Sequence, residues 1–117
     1  MLNNSKPLSD IERIQTVVKM IPAGQVSTYG RIADYAGLLH KARYVSYALA
    51  QASHDSLPWH RVINSQGKIA IAKGNPSYFK QIELLRLEAI QVNHGRVNLK
   101  QYLWHPDAAT LIFSLSF

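Results

Sequence analysis

The 117-residue chain has no cysteine, which excludes disulfides, thiolate-bound metal and any thiolate nucleophile. It also lacks a run of about 18 apolar residues, the length needed to cross a bilayer as a helix. Its start, MLNNSKPLSD, has neither the basic segment nor the apolar stretch of a secretory signal. A cytoplasmic protein with no membrane partner is therefore expected. Acidic residues are scarce: 7 Asp and Glu stand against 13 Lys and Arg, a formal charge of +6, so a polyanion, nucleic acid first, is the partner to consider. Repeats, low-complexity tracts and linkers are missing as well, and the length suits one domain. The five histidines have no recognised ligand spacing, so neither a metal site (His54 with His60 is the best pair) nor a cofactor is expected.

What is present is helical patterning. Residues 1–7 are polar and read as a loose terminus. Ser9 and Glu12 have capping-box spacing, and Ile11, Ile14, Val18 and Ile21 recur at helical intervals before Pro22 and Gly24 stop the helix. Thr28 precedes a shorter helix with Ile32, Ala33, Tyr35 and Ala36 on one stripe and Gly37 at the position after its end. In KARYVSYALAQA, Val45, Ala48, Leu49 and Ala52 share one face, and Arg43, Ser46, Tyr47 and Ala50 the other. Two short helices joined by a tight turn have the form of a helix-turn-helix, whose later member carries Lys41, Arg43, Tyr44 and Tyr47. RVINSQGKIAI reads as a small hairpin around Ser65, Gln66 and Gly67. Asn75 then caps a helix with Pro76 at its first position and Phe79, Ile82, Leu85 and Ala89 on one face. The expectation is a mostly α domain with a short β-hairpin, winged-helix-like, over 8–105, followed by a tail, 106–117, that is either unstructured or packed on that last helix.

One short stretch, PWHRV at 58–62, concentrates chemistry-bearing groups. Pro58 holds the residue before it extended, while Trp59 brings a broad apolar face and one N–H donor, and His60 and Arg61 bring further donors. Such a loop can form a pocket wall, or Trp59 can be a core aromatic with its indole N–H satisfied.

The order IPAGQVSTYGRIADYAG, an arginine-bearing helix, PWHRV and LLRLEAI resembles the C-terminal DNA-binding domain of O6-alkylguanine-DNA alkyltransferases, and with Trp59 where that family has its alkyl-accepting cysteine the chain resembles the alkyltransferase-like proteins. The resemblance implies binding of O6-alkylguanine in duplex DNA by a monomer, flipping of the damaged base into a pocket, and transfer of the site to nucleotide excision repair proteins, with no catalytic residue. It implies DNA contacts by Tyr29, Lys41, Arg43, Ser46 and Tyr47, with Tyr29 crowding the phosphate beside the target and Arg43 filling the space the base leaves. It implies a lesion pocket of Trp59, Tyr29, Pro58, His60 and Val62, with Lys73 in the closing loop. His60 and Glu88 match the pair that activates the thiol through a water in the enzymes, kept here as pocket structure, and Arg61 and Asn64 match residues that hold the loop. An indole offers no basic lone pair for group transfer, so what Trp59 brings is a stacking wall, worth about 1–3 kcal/mol to a base.

Two other classes of function remain open on the residues alone. A winged-helix transcription regulator reading undamaged DNA would lay the same helix in the major groove, usually as a dimer. A glycosylase or hydrolase would use His60 with Glu88 or Asp55 as acid and base.

Overall fold

The capping box read at the start of the first helix is formed. Ser9 Oγ accepts from the Glu12 N–H at 3.1 Å, and Glu12 Oε1 accepts from the Ser9 N–H at 2.9 Å. The computed structural model describes residues 7–52 and 56–115. All but Pro7 of the terminal segment expected to be loose, and His54 and Asp55, lie outside them. Helix α1 spans Asp10–Met20, α2 spans Tyr29–Tyr35 behind the N-cap Thr28, and α3 spans Ala42–Ala50. Gly37 takes the left-handed conformation just past α2, φ 80°, and the Leu38 N–H returns to the Ala33 carbonyl at 2.8 Å, closing that end. Helices α2 and α3 pack on each other and on α1, as a helix-turn-helix requires.

Helix α4, Pro76–Leu87, is capped by Asn75 Oδ1 as read, but its inward face differs at both ends. Tyr78, Gln81, Ile82 and Leu85 are buried, whereas Phe79 is 66% exposed. Ala89 lies beyond the helix end at φ 63° and is exposed. Ile82 and Leu85 are buried as read, and the stripe departs only at its ends, where Tyr78, four residues before Ile82, takes the inward place read for Phe79.

The β structure is minimal and partly relocated. The hairpin consists of β3, Val92–Asn93, and β4, Arg96–Val97, turning at His94 and Gly95. At 62–71 there is instead a tight turn: Asn64 Oδ1 accepts from the Gln66 and Lys68 N–H groups at 2.9 and 2.8 Å. The run before that turn is β2, Val62–Ile63, which pairs in parallel with β1, Ser27–Thr28. The run after it meets the true hairpin through a bridge from Lys68 to Arg96. Gly67 is required here, since its φ is 82° and a Cβ would lie 2.5 Å from the Val97 carbonyl oxygen.

Two buried clusters result. One gathers α1, α2 and α3 with Leu57, Val62 and Trp104; the other gathers α4 with Val26, Ile63, Ile69 and the hairpin valines Val92 and Val97. Strand β2 lies at the seam, because successive strand residues point to opposite sides: Val62 enters the first cluster and Ile63 the second. The turn α5, Leu99–Tyr102, follows the hairpin. The C-terminal segment forms α6, Ala108–Leu115, and packs on α1 rather than on α4. Leu111 and Leu115, four residues apart, enter the first cluster, and Asp107 accepts from the Thr110 N–H at 3.1 Å.

Candidate nucleic-acid interface

The PWHRV loop is a single 3₁₀ turn, Trp59–Arg61, running into β2, and α4 holds it at two points. The first is Gln81, buried to 1%, whose Nε2 donates to the His60 and Val62 carbonyls at 2.9 and 3.0 Å. The second is Glu88, the residue that ends α4. Its Oε1 accepts from the Gly24 N–H at 2.9 Å and from Arg61 Nε at 3.0 Å, and its Oε2 accepts from Arg61 Nη2 at 2.7 Å and meets His60 Nε2 at 2.6 Å. Arg61 Nη1 continues to the Ile21 carbonyl at 2.8 Å, tying the loop to the end of α1. Burial alone would raise the Glu88 pKa, but the Arg61 guanidinium, the Gly24 N–H and His60 outweigh it and hold the carboxyl at about 2. A carboxylate only accepts hydrogen bonds, so His60 Nε2 carries the proton on this contact. His60 and Glu88 thus meet directly.

The β1–β2 pairing brings a second chain segment to this loop. Thr28 pairs with Ile63 and then caps α2, accepting from the Arg31 N–H at 3.2 Å, so Tyr29 starts its helix beside the loop. Its hydroxyl pKa is raised by burial.

Trp59 stands where two cavities meet. The smaller, about 260 Å³, lies against α3 and is walled by Tyr29, Ser46, Leu49, Leu57, Trp59 and Ile71 among others. The larger, about 970 Å³, reaches the other way and includes Pro58, His60, Arg61, Lys19 and Lys80 in its wall; Leu57, Trp59 and Ser77 border both. Trp59 is half-buried and meets the His60 ring edge-on, centroids 6.3 Å apart.

Tyr29, Ser46, Pro58, Trp59 and His60 are therefore brought together around the two cavities, and Glu88 lies behind them. Lys41, Arg43 and Tyr47 do not line either cavity; they stand on the exposed face of α3, where the Tyr47 ring, 52% exposed, stacks on Tyr44 with centroids 5.5 Å apart. Two residues expected in the pocket sit elsewhere. The Val62 side chain is buried at 1% exposure in the first core cluster, because β2 turns it inward, and Lys73 is exposed on the turn beyond Ile71, outside both cavity walls.

Gln81 was not foreseen, and its signal was in the sequence: a polar residue in phase with the buried stripe Tyr78, Ile82, Leu85. Leu49, Leu57, Ile71 and Ser77 were also missed as wall residues, since only the tertiary fold gathers them. Gln81→Ala is expected to leave the His60 and Val62 carbonyls without a protein donor and to lower stability by about 1–3 kcal/mol, as read from urea midpoints of variant and parent.

The comparisons agree with this geometry. Residues 11–90 match the family model of the 6-O-methylguanine DNA methyltransferase DNA-binding domain. The chain is 46% identical to a DNA base-flipping protein of Vibrio parahaemolyticus over 80% of its own length and 94% of that protein's. It is 38% identical to alkyltransferase-like protein 1 of Schizosaccharomyces pombe, over 80% and 93%. Among solved structures it resembles S. pombe Atl1 in complex with damaged DNA containing O6-carboxymethylguanine, with a TM-score of 0.77, 34% identity and coverage of 83% and 95% of the two chains. The chain belongs to the family of 6-O-methylguanine DNA methyltransferase DNA-binding domains, as an alkyltransferase-like member of it.

Proposed function

We propose that this protein recognises O6-alkylguanine in duplex DNA without chemical turnover, by turning the damaged nucleotide out of the helix toward Trp59, and that the complex marks the site for nucleotide excision repair proteins. The observation that carries the reading is the junction at Trp59: an aromatic wall between two cavities, beside Tyr29 and behind the exposed basic face of α3. Lys41 and Arg43 supply charge for the phosphates, Tyr29 and Ser46 border the path into the smaller cavity, and Tyr47 offers an aromatic face in the groove. A tryptophan in place of the family's acceptor cysteine, in a chain with no cysteine, supports binding rather than transfer. So does the likeness to a relative solved with damaged DNA.

Titration of an O6-methylguanine duplex against the same duplex with guanine, at one fixed salt concentration, tests the reading. Tighter binding of the lesion by about 1–3 kcal/mol is expected, the scale of one base stacked on an aromatic wall. Fixed salt is needed because each phosphate neutralised adds about −0.9 to the slope of log K against log salt for both duplexes. Indistinguishable dissociation constants would refute it.

At the start of α3, Arg43 and the N-cap residue Lys41 are expected to separate. Arg43→Ala should lower lesion affinity more than affinity for the unmodified duplex, since the guanidinium replaces the stacking of an extruded base, whereas Lys41→Ala should weaken both about equally as a lost phosphate contact. Equal losses for both variants on both duplexes would reduce Arg43 to a backbone contact.

A further inference from the structure

The outer face of α4 is left uncovered by the rest of the described chain. Seen down its axis, the helix has three sides. Tyr78, Gln81 and Leu85 are buried in the core, Ser77, Lys80 and Leu84 line the larger cavity beside Trp59, and Phe79, Ile82, Glu83, Arg86 and Leu87 wall a separate groove of about 390 Å³ on the other flank. Ile82, 8% exposed, is the floor of that groove, while Phe79 and Leu87 stand 66% and 77% exposed, about 12 Å apart along the axis. Large apolar side chains gathered on one exposed stripe mark a binding surface. The charge around it is unbalanced. Glu83 is the only carboxylate among the described wall residues, and Lys80 already pairs with it at 3.3 Å. Arg86 has no carboxylate within ion-pair distance among the described residues; its Nη2 donates to the Val92 carbonyl at 2.9 Å, which leaves the remaining guanidinium donors to the outside. The same bond lays the β3–β4 hairpin along the helix, so closely that a Cβ at Gly95 would lie 2.6 Å from the Tyr78 hydroxyl oxygen, and that hairpin carries the exposed Arg96.

We propose that this groove docks an acidic amphipathic helix of a protein partner, whose apolar side chains lie between Phe79 and Leu87 over Ile82 and whose carboxylates meet Arg86 and Arg96. The groove would be the docking surface for the handover to repair proteins, and in that role it rests on the reading above. A helix suits it because the groove follows α4, and apolar residues seven apart on a partner helix are about 10 Å from each other, close to the spacing of the two anchors. Nucleic acid suits it poorly: a phosphate backbone makes no use of Phe79 and Leu87 and would meet the Glu83 carboxylate. A second copy of the chain is opposed by charge, since each copy carries +6, and its exposed apolar pair, Ile112 and Phe113, lies on a helix with no carboxylate of its own. Because the groove and the cavity beside Trp59 lie on different flanks of α4, an occupied groove leaves Trp59 open to DNA.

The test follows a fluorescein-labelled synthetic peptide of about 18 residues, long enough to be helical alone, with leucines on one side and glutamates on the other, as it binds the full chain both free and saturated with the O6-methylguanine duplex. Binding to both forms is expected. Phe79→Ser and Leu87→Ser should each weaken it about tenfold, the scale of a lost apolar anchor, and Arg86→Gln by roughly two- to fivefold, the range of an exposed ion pair. All three variants should keep the parent's affinity for the duplex, which also shows that they are folded. Lys100→Gln, the same charge change outside the groove wall, should leave peptide binding as it is, and a peptide with serine in place of leucine should not bind. Equal losses from Lys100→Gln and Arg86→Gln, or displacement of the peptide by the duplex, would reduce the contact to general charge attraction and overturn the proposal. So would loss of duplex affinity in the three variants, which would make this face a DNA contact, or a dimer of the parent in sedimentation that Phe79→Ser dissolves, which would make the occupant a second copy. Equal affinity of the parent for lesion and guanine duplexes, with peptide binding intact, would overturn lesion recognition and the handover role while the docking groove stands.

Discussion

Glu88→Gln is expected to lower stability by about 2 kcal/mol, near 8 °C in Tm for a domain of this size. The carboxylate joins three separate segments: Gly24 after α1, the Trp59 loop through His60 and Arg61, and the end of α4. Removing one partner of a fully buried charge network costs about 3–5 kcal/mol. The side chains here keep 12–17% of their exposure, so water can reach the orphaned guanidinium and the expected cost falls below that range. The amide keeps the shape and one acceptor oxygen but cannot receive the Arg61 fork and a histidine N–H together.

The pH dependence has a definite sign. The folded-state pKa of about 2 lies below the ordinary 4.5, so the unfolded chain takes up the Glu88 proton first as pH falls. The stabilisation from Glu88 is fully present above about pH 4.5 and disappears as pH falls toward 2. The parent should therefore lose more stability than Glu88→Gln across that window, about 1–2 kcal/mol more once solvent screening is allowed for. Urea midpoints of the two proteins at pH 6, 4 and 2.5 check it, and parallel declines would remove Glu88 from its role as the acid-sensitive tie.

What was legible in the sequence divides by the range of the interaction that decides it. Ser9 with Glu12, Thr28, Gly37, and Asn75 with Pro76 are signals spanning a few residues, and each specifies a helix end where it was read. The two faces of α3 were legible for the same reason: Val45 and Ala48 are buried while Arg43, Ser46 and Tyr47 are exposed. Strands of two residues carry no period, so nothing local announced that Ser27 and Thr28 would pair with Val62 and Ile63 in place of a hairpin at 62–71. The ties from Glu88 to His60 and Arg61 span 28 and 27 residues; the order of motifs pointed to the first, and nothing in the sequence pointed to the second. Motif order likewise suggested Trp59 as a wall residue, but the second cavity behind it depends on how α1 and α4 diverge. The Asp107 cap and the Leu111, Leu115 spacing of α6 were present in the tail, within a segment whose apolar run, LIF, hides the period.

Trp59→Cys is expected to produce slow, partial alkyl transfer from O6-benzylguanine DNA, where the parent gives none. The variant restores the loop sequence that the alkyltransferases have, and the partners that the enzymes use for activation are close by. His60 Nε2 lies 2.6 Å from a carboxylate held ionised, which keeps the ring proton on Nε2 and leaves its other nitrogen as the acceptor for the thiol proton, giving a thiolate. In the transfer itself the sulfur would form a bond to the benzylic carbon, the bond from that carbon to O6 would break, and guanine would leave with its electron pair and take up a proton. Two features limit the rate. His60 meets Glu88 directly, with Arg61 on the same carboxylate, so the pair is fastened as a structural tie and its adjustment to a new thiol is constrained. Removing the indole also merges the two cavities at their common border, and a substrate displaced by about 1 Å from attack geometry can lose a hundredfold in rate. Gln81 and the β1–β2 pairing still hold the loop backbone, which keeps residue 59 near its present position. Intact-protein mass spectrometry after incubation should therefore find a benzyl adduct on a minor fraction of the variant, mapped by digestion to residue 59. An adduct on the parent would refute binding without turnover, while a variant that binds the lesion and gains no adduct over a day would mean that the cavity around residue 59, and not the thiol alone, separates this chain from an alkyltransferase.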